Sequence, residues 1–125
     1  MRKVISTEKN ASILEVAKKL RRARERHIIV TESEKPIGII STTDINNRVV
    51  AENKNPKETK AEEIMTSPIM SCDVEESLAK VYFEMLRENI FSCPVVKKGR
   101  LAGTLDLKEA MNHLIKAKVE ENVNN

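Results

Sequence analysis

The sequence is poor in residues on which several classes of protein depend. Its 125 residues include two cysteines, three glycines, one tyrosine, two phenylalanines and no tryptophan. Cys72 and Cys93 form no CxxC motif and have no histidine at metal-ligand spacing, so neither a disulfide framework nor a zinc site is indicated. With so few aromatic side chains, the core has to be built from Ile, Val, Leu, Ala and Met. Platforms for stacking nucleic-acid bases are also missing.

The sequence also lacks long apolar runs and a strong charge of one sign. No stretch is long enough to span a bilayer, and no apolar signal segment follows Met1. The formal net charge is +3, from 22 basic and 19 acidic residues, so the overall field does not require a polyanionic partner. We therefore expect a cytoplasmic protein with reduced thiols, built as one compact domain or two very small ones.

Positions 65 residues apart carry matching residues. The segment 4–6 aligns with 69–71, and Gly38 aligns with Gly103. Apolar positions coincide even where the residues differ, as a duplicated packing pattern requires. Around 28–30 an offset of 66 fits about as well, which suggests that one loop differs by a residue.

Each half predicts the element order β-α-β-β-α from its hydrophobic periodicity and turn residues. For the first half the predicted elements are a strand at 4–6, a helix from 13 to about 24, strands at 28–30 and 36–40, and a helix from 41–42 that turns Ile45, Val49 and Val50 inward. For the second half they are a strand at 69–72, a helix with Leu78, Val81, Met85 and Leu86 inward, strands at 94–96 and 101–105, and a helix from 107 to about 118.

The same pattern sets the predicted boundaries. The segments are repeat 1 at 1–51, a polar linker at 52–60, repeat 2 at 61–119 and a frayed tail at 120–125. Thr59 to Glu62 has the spacing of a capping box and predicts one helical turn that ends near Met65. Sheets this small cannot stand alone, so we predict an α+β fold in which the two repeats pack sheet to sheet as one pseudo-two-fold pair.

The repeat, the element order and three segments resemble a tandem pair of CBS domains, the cystathionine β-synthase motif usually found in twos. The segments are MTSPIMSCD (65–73), FSCPVVKKGRLAG (91–103) and GIISTTDI (38–45). The first repeat lacks the Met-Thr that leads into the second. The resemblance implies a regulatory module, not an enzyme, that binds AMP, ADP, ATP or S-adenosylmethionine in clefts between the repeats. It also implies a homodimer, joined through the amphipathic helices, and a regulated partner protein whose identity is not indicated.

The segment GIISTTDI has two interpretations. Ser41 with Asp44 three residues later forms a capping box, worth about 1 kcal/mol to a helix start. Alternatively, the Asp44 carboxylate accepts hydrogen bonds from ribose hydroxyls, which contributes about 1.5–3 kcal/mol when shielded from water. The matching stretch GTLDLKEA of the second half has Asp106 and Glu109 at these positions. That pair can cap a helix, but it brings two negative charges towards an anionic ligand. We therefore favour one functional site over two.

The resemblance assigns roles to residues of this segment. It places Asp44 on the ribose hydroxyls, and it places Ser41 and Thr43 near the junction of ribose and phosphate. It places Ile39 against the base.

The resemblance also implies residues for the phosphate and for the walls of the base site. Arg26 or His27, depending on the loop register, stands where similar proteins carry a basic residue for the phosphate. The opposite repeat supplies Ser71, Ile90 and Phe91 as base-binding positions. For Ile90 and Phe91, ordinary core positions are an equal alternative.

Two alternative functions stay open. One is a ligand-free dimerisation or interaction scaffold in which Ser41 and Asp44 only cap a helix. The other is a nucleic-acid-associated protein that uses the basic run KKLRRARER at 18–26, although a solvated helix face explains this run better. The sequence shows no catalytic constellation, Walker loop or cluster of metal ligands, so we predict no enzymatic activity, no metal and no cofactor besides the adenosyl ligand.

Overall fold

The computed structural model describes residues 4–124, which form two compact units. The first unit is Val4–Ile69 and the second covers 70–124. Each contains a three-stranded sheet with helices, so the predicted α+β class is confirmed. Residues 1–3 and 125, at the ends of the predicted repeat 1 and tail, lie outside the described residues. Within 4–124, no helix has both the length and the apolar content needed to cross a bilayer.

The two units share the element order β-α-β-β-α, to which the first unit adds a π-helical turn and a short helix. The first unit contains β1 (Ser6–Glu8), α1 (Ile13–Ala23), β2 (His27–Glu32), β3 (Lys35–Ser41), α2 (Thr42–Ile45), a π-helical turn (Asn46–Val50) and α3 (Ala61–Ile64). The second unit contains β4 (Cys72–Asp73), α4 (Leu78–Arg87), β5 (Ser92–Lys97), β6 (Arg100–Asp106) and α5 (Leu107–Asn124). In each sheet the first strand runs parallel to the second, and the second pairs antiparallel with the third.

Strand register settles the period of the repeat. His27 pairs with Ser41 in the first sheet, and Ser92 pairs with Asp106 in the second. Both pairs are related by an offset of 65, and the same irregularity interrupts each hairpin. The alternative offset of 66 around 28–30 is therefore wrong, and the two hairpins have loops of equal length.

Helix α1 follows from its sequence pattern as predicted. The Ser12 hydroxyl accepts a hydrogen bond from the Glu15 N–H at 3.2 Å and caps the helix start. Ile13, Val16 and Leu20 recur at helical spacing, and each is at most 3% exposed. Burial of each such side chain contributes about 1.5–3 kcal/mol, which holds α1 against the first sheet.

Two residues expected in the core lie outside it. Val50 is 67% exposed and Leu86 is 43% exposed. Their neighbours Val49 and Met85 are 1% and 0% exposed. Adjacent residues of a helix point in directions about 100° apart, so only one member of each pair faces the core.

The first strand of each sheet begins later than predicted. We expected strands at 4–6 and 69–72, whereas β1 is Ser6–Glu8 and β4 is Cys72–Asp73. The prediction followed the apolar residues, but pairing is set by the register of the neighbouring strand. In β1 the inward residue is Thr7, which is 2% exposed.

The segment 52–60, predicted to be a linker, packs against the start of α1. The N–H groups of Ile13 and Leu14 donate to the carbonyls of Thr59 at 2.8 Å and Pro56 at 3.0 Å. The first N–H groups of a helix have no partner within it, so this segment caps α1. The first unit therefore includes the segment, and the predicted repeat boundaries remain predictions about the sequence duplication.

Helix α3 has a different cap from the one predicted. Lys60 is the N-cap, and its backbone N–H donates to the Glu63 carboxylate. Thr59 is buried instead, and its hydroxyl donates to a carbonyl of the preceding turn. Ala61 and Ile64 are at most 2% exposed and belong to the core of the first unit. A helix of one turn survives here because it is packed against that core.

The end of the chain is more helical than predicted. Helix α5 continues to Asn124, whereas we expected it to end near 118 and to be followed by a frayed tail at 120–125. No glycine or proline follows Leu107 to stop the helix. An ion pair at 3.9 Å joins Lys118 to Glu121 within the added turns.

Strand β3 passes close to the segment that follows α3. A Cβ atom at Gly38 would clash with Met65 Sδ and would lie 3.1 Å from Met65 Cβ. Beside this contact, Ile39 and Thr66 exchange two backbone hydrogen bonds, at 3.0 and 2.9 Å. Glycine at position 38 therefore permits the close approach of the two segments.

Replacement of Gly38 tests this packing. We expect Gly38→Ala to lower the free energy of unfolding by about 1–3 kcal/mol, because the added methyl group overpacks the contact with Met65. Urea denaturation measures the change. In a Met65→Ala background the same substitution should cost much less, and an equal cost in both backgrounds would contradict the close contact.

Candidate functional site

The candidate site is the start of α2, which the backbone fixes in place. The first residue of β2, His27, pairs with the last residue of β3, Ser41. Next to this pair, the Thr42 N–H donates to the Arg26 carbonyl at 3.0 Å. In the second unit the Leu107 N–H donates to the Phe91 carbonyl at 2.8 Å. The two units therefore present the same backbone frame at this point, and they differ in the side chains that it carries.

Ser41 and Asp44 form the predicted capping box. The Ser41 hydroxyl accepts a hydrogen bond from the Asp44 N–H at 3.0 Å, and Asp44 Oδ2 accepts one from the Ser41 N–H at 2.9 Å. Both residues are half-buried. The capping role of these residues is confirmed, and it accounts for one of the two carboxylate oxygens of Asp44.

Arg48 lies beside the other carboxylate oxygen. Its Nη2 atom is 3.7 Å from Asp44 Oδ1, while its Nη1 atom donates to the Ile64 carbonyl at 2.7 Å and to the Thr66 hydroxyl at 3.2 Å. The sequence-based prediction did not include Arg48. The acidic residue four positions before an arginine on one helix was the signal that could have found it.

Ile39 and Thr43 border the same site. Ile39 is half-buried, whereas Ile40 beside it is 0% exposed. Side chains alternate along a strand, so Ile39 lies on the face of β3 opposite to the face that packs on the core. Thr43 is exposed in the first turn of α2.

Arg26 and His27 are both exposed next to this helix start. His27 pairs with Ser41 across the hairpin. The Arg26 side chain lines a cavity of about 420 Å³ between α1 and α2, together with Arg21, Arg24, Thr42, Glu25 and three apolar residues. Three arginines of the basic run 18–26 thus line one cavity with the first residue of α2.

The other three expected residues belong to the second unit. Ser71 is exposed just before β4, and Ile90 is partly buried against the core of the second unit. Phe91 is 76% exposed, so the alternative that placed it in the core is wrong. In the described part of the chain, no three His, Cys, Asp or Glu side chains are grouped as metal ligands.

Comparison with known proteins decides the family. The family model of the CBS domain matches this chain twice, at residues 1–51 and 61–116. The chain belongs to the CBS-domain family. Its two matches make it a tandem CBS protein, as the sequence resemblance predicted.

Several known proteins resemble this CBS pair. An uncharacterised protein of Methanopyrus kandleri is 30% identical over 112 residues, which are 88% of this chain and 57% of that protein. A CBS domain protein of Pyrobaculum aerophilum, solved in complex with AMP, is 29% identical with a TM-score of 0.69, over 87% of this chain and 84% of that one. Staphylococcus aureus OpuCA shares the fold at 21% identity, with a TM-score of 0.76 over 94% and 97% of the two chains.

The capping box of the CBS pair can be tested by itself. We expect Ser41→Ala to lower the free energy of unfolding by about 1 kcal/mol, because the Asp44 N–H loses its acceptor. Thr42→Ala, at the exposed neighbouring position, is the matched control and should have little effect. Equal losses for the two variants in urea denaturation would contradict the capping role.

Proposed function

We propose that this CBS pair is a regulatory module, not an enzyme, and that it binds an adenosyl ligand at the start of α2. The ligand is AMP, ADP, ATP or S-adenosylmethionine. The observation that carries the proposal is the difference between two equivalent helix starts. The first unit places Ser41 and Asp44 on a backbone frame where the second unit has Asp106 and Glu109. Two carboxylates at that place would repel a phosphate, whereas one carboxylate with a hydroxyl suits a ribose.

The capping role of Asp44 leaves room for this second role. A carboxylate offers about four lone-pair positions, and the cap uses one of them on Oδ2. The Arg48 guanidinium is 3.7 Å from Oδ1, which is longer than a hydrogen bond. Oδ1 can therefore accept a hydrogen bond from a ribose hydroxyl while the cap stays intact.

The surroundings of Asp44 support the same ligand. Ile39 presents an apolar side chain on the outward face of β3, which suits a base, and Arg26 lines one cavity with Thr42, the first residue of α2, so we propose its guanidinium as the partner of a phosphate. Contributions of His27, Ser41 and Thr43 to the ligand, and of Ser71, Ile90 and Phe91 in the second unit, remain predictions from the family resemblance.

The similar protein of Pyrobaculum aerophilum was solved with AMP, which supports an adenine nucleotide as the ligand. We propose that the ligand acts by population shift: it stabilises one arrangement of the protein, and that arrangement binds a regulated protein with a different affinity. We also propose a cytoplasmic location, which the two free thiols Cys72 and Cys93 support.

Thermal melting with each of the four adenosyl compounds tests ligand binding. At a hundred times its dissociation constant, a ligand stabilises the folded protein by about 2.7 kcal/mol, so at least one compound should raise the melting temperature clearly. Asp44→Asn keeps a cap oxygen but loses the charge, and it should weaken binding about 10-fold or more. Glu109→Gln, at the equivalent position of the second unit, is the control and should bind as the wild type does. If none of the four compounds raises the melting temperature of the wild type, the result would favour the scaffold interpretation.

A second surface supports self-association of the CBS pair. On α5, Met111, Ile115, Val119 and Val123 follow one another at four-residue spacing, and they are 38%, 55%, 54% and 78% exposed. We propose that a second copy of the chain covers this apolar stripe. Such a dimer is compatible with ligand binding, and it would also serve the ligand-free scaffold.

Charge placed in the stripe should separate the copies. We expect Ile115→Glu combined with Val119→Glu to convert a dimer into a monomer, because the interface would then bury two charges without partners. Light scattering after gel filtration measures the mass. The control is Lys116→Glu, which changes the charge of α5 beside the stripe. A dimer that persists in the double variant would contradict this use of α5.

A further inference from the structure

The segment 64–66 is connected to two residues that the proposed ligand would contact, to Ile39 directly and to Asp44 through Arg48. Arg48, the neighbour of Asp44, donates to the Ile64 carbonyl and to the Thr66 hydroxyl. Ile39, the proposed base contact, exchanges two backbone hydrogen bonds with Thr66. The segment is thus connected to Asp44, the proposed ribose contact, through the Arg48 side chain, and to Ile39, the proposed base contact, through backbone hydrogen bonds.

The contacts of Arg48 can transmit a displacement from Asp44 to the end of α3. The Ile64 carbonyl is at the end of α3, where helix carbonyls lack partners within the helix and attract cations. One guanidinium therefore holds the end of α3 with Nη1 and faces the Asp44 carboxylate with Nη2. Because the guanidinium is planar and rigid, a shift of one edge moves the other.

The segment 64–66 lies just before the second unit in the chain. Thr66 lies four residues before Met70, where the second unit begins along the chain. A change in the contacts of Asp44 that is transmitted to Thr66 therefore reaches the segment that leads from the first unit to the second. Arg48, in the π-helical turn after α2, connects Asp44 to this segment through its side chain.

We propose that Arg48 couples ligand binding at Asp44 to the segment 64–66, and so acts as a positioning residue of the regulatory site. This inference rests on the proposed function for its ligand, but the coupling itself exists without ligand. When ribose hydroxyls donate to Asp44 and the base covers Ile39, the Arg48 contacts and the pairing of Ile39 with Thr66 become more persistent. The segment is then held more firmly, which is the change that a regulated protein would sense.

Amide hydrogen exchange at single residues, measured by NMR, tests the coupling without ligand. The reporters are the Thr66 and Ile39 N–H groups, which form the two hydrogen bonds between β3 and the segment. We expect Arg48→Met to raise their exchange rates about tenfold, and Asp44→Asn to raise them about two- to fivefold, as loss of a partly exposed ion pair allows. The double variant should exchange no faster than Arg48→Met alone, because both changes break one chain of contacts.

The matched control is Glu32→Gln, which breaks another ion pair of the first unit, the 3.0 Å contact with Lys9. It should leave both reporters unchanged. If Asp44→Asn leaves them unchanged as well, or if its effect simply multiplies with that of Arg48→Met, the coupling through Arg48 is overturned.

The same measurement with AMP separates this inference from the proposed function. We expect AMP to slow exchange at Thr66 and Ile39 in the wild type, and to bind Arg48→Met without slowing them. AMP that binds the wild type but leaves both reporters unchanged overturns the inference while the proposed function stands. If AMP, ADP, ATP and S-adenosylmethionine all perturb no residue of the first unit, the proposed function fails, and the Asp44→Asn comparison still decides the coupling.

Discussion

A backbone hydrogen bond from Thr42 to the Arg26 carbonyl ties the start of α2 to the beginning of β2, and the site depends on it. With this bond in place, the last residue of β3 becomes the helix cap and the third residue of α2 turns back towards it. The second unit repeats the bond between Leu107 and Phe91. The two units therefore share one backbone frame at this point and carry different side chains on it.

In the first unit one carboxylate has several contacts at this point. Asp44 caps α2, faces Arg48 and, in our proposal, accepts the ribose hydroxyls. A group with these tasks makes helix stability, ligand affinity and the position of the segment 64–66 interdependent. Such interdependence is what a regulatory module needs, since a ligand can shift an equilibrium only by what it binds differently in two states.

Local patterns predicted most of the fold because they reflect local physics. Ile13, Val16 and Leu20 define α1 by their spacing, and the capping box at Ser41 was readable from two residue types three positions apart. Features set by tertiary contacts were missed. The start of β1 depends on pairing with β2, and the cap of α3 depends on how its segment meets the first core. Arg48 was missed because its partners Ile64 and Thr66 are distant in sequence, although its spacing from Asp44 was visible.

The central claim is that Asp44 recognises ribose hydroxyls, and calorimetric titration with AMP and with 2′,3′-dideoxyadenosine monophosphate tests it most directly. The two nucleotides differ only in the 2′ and 3′ hydroxyls, which would donate hydrogen bonds to Asp44. The account predicts that the wild type binds AMP at least about 10-fold more tightly than the dideoxy compound, and that Asp44→Asn abolishes most of this preference. Equal affinity of the wild type for both nucleotides, or an unchanged preference in Asp44→Asn, would contradict it.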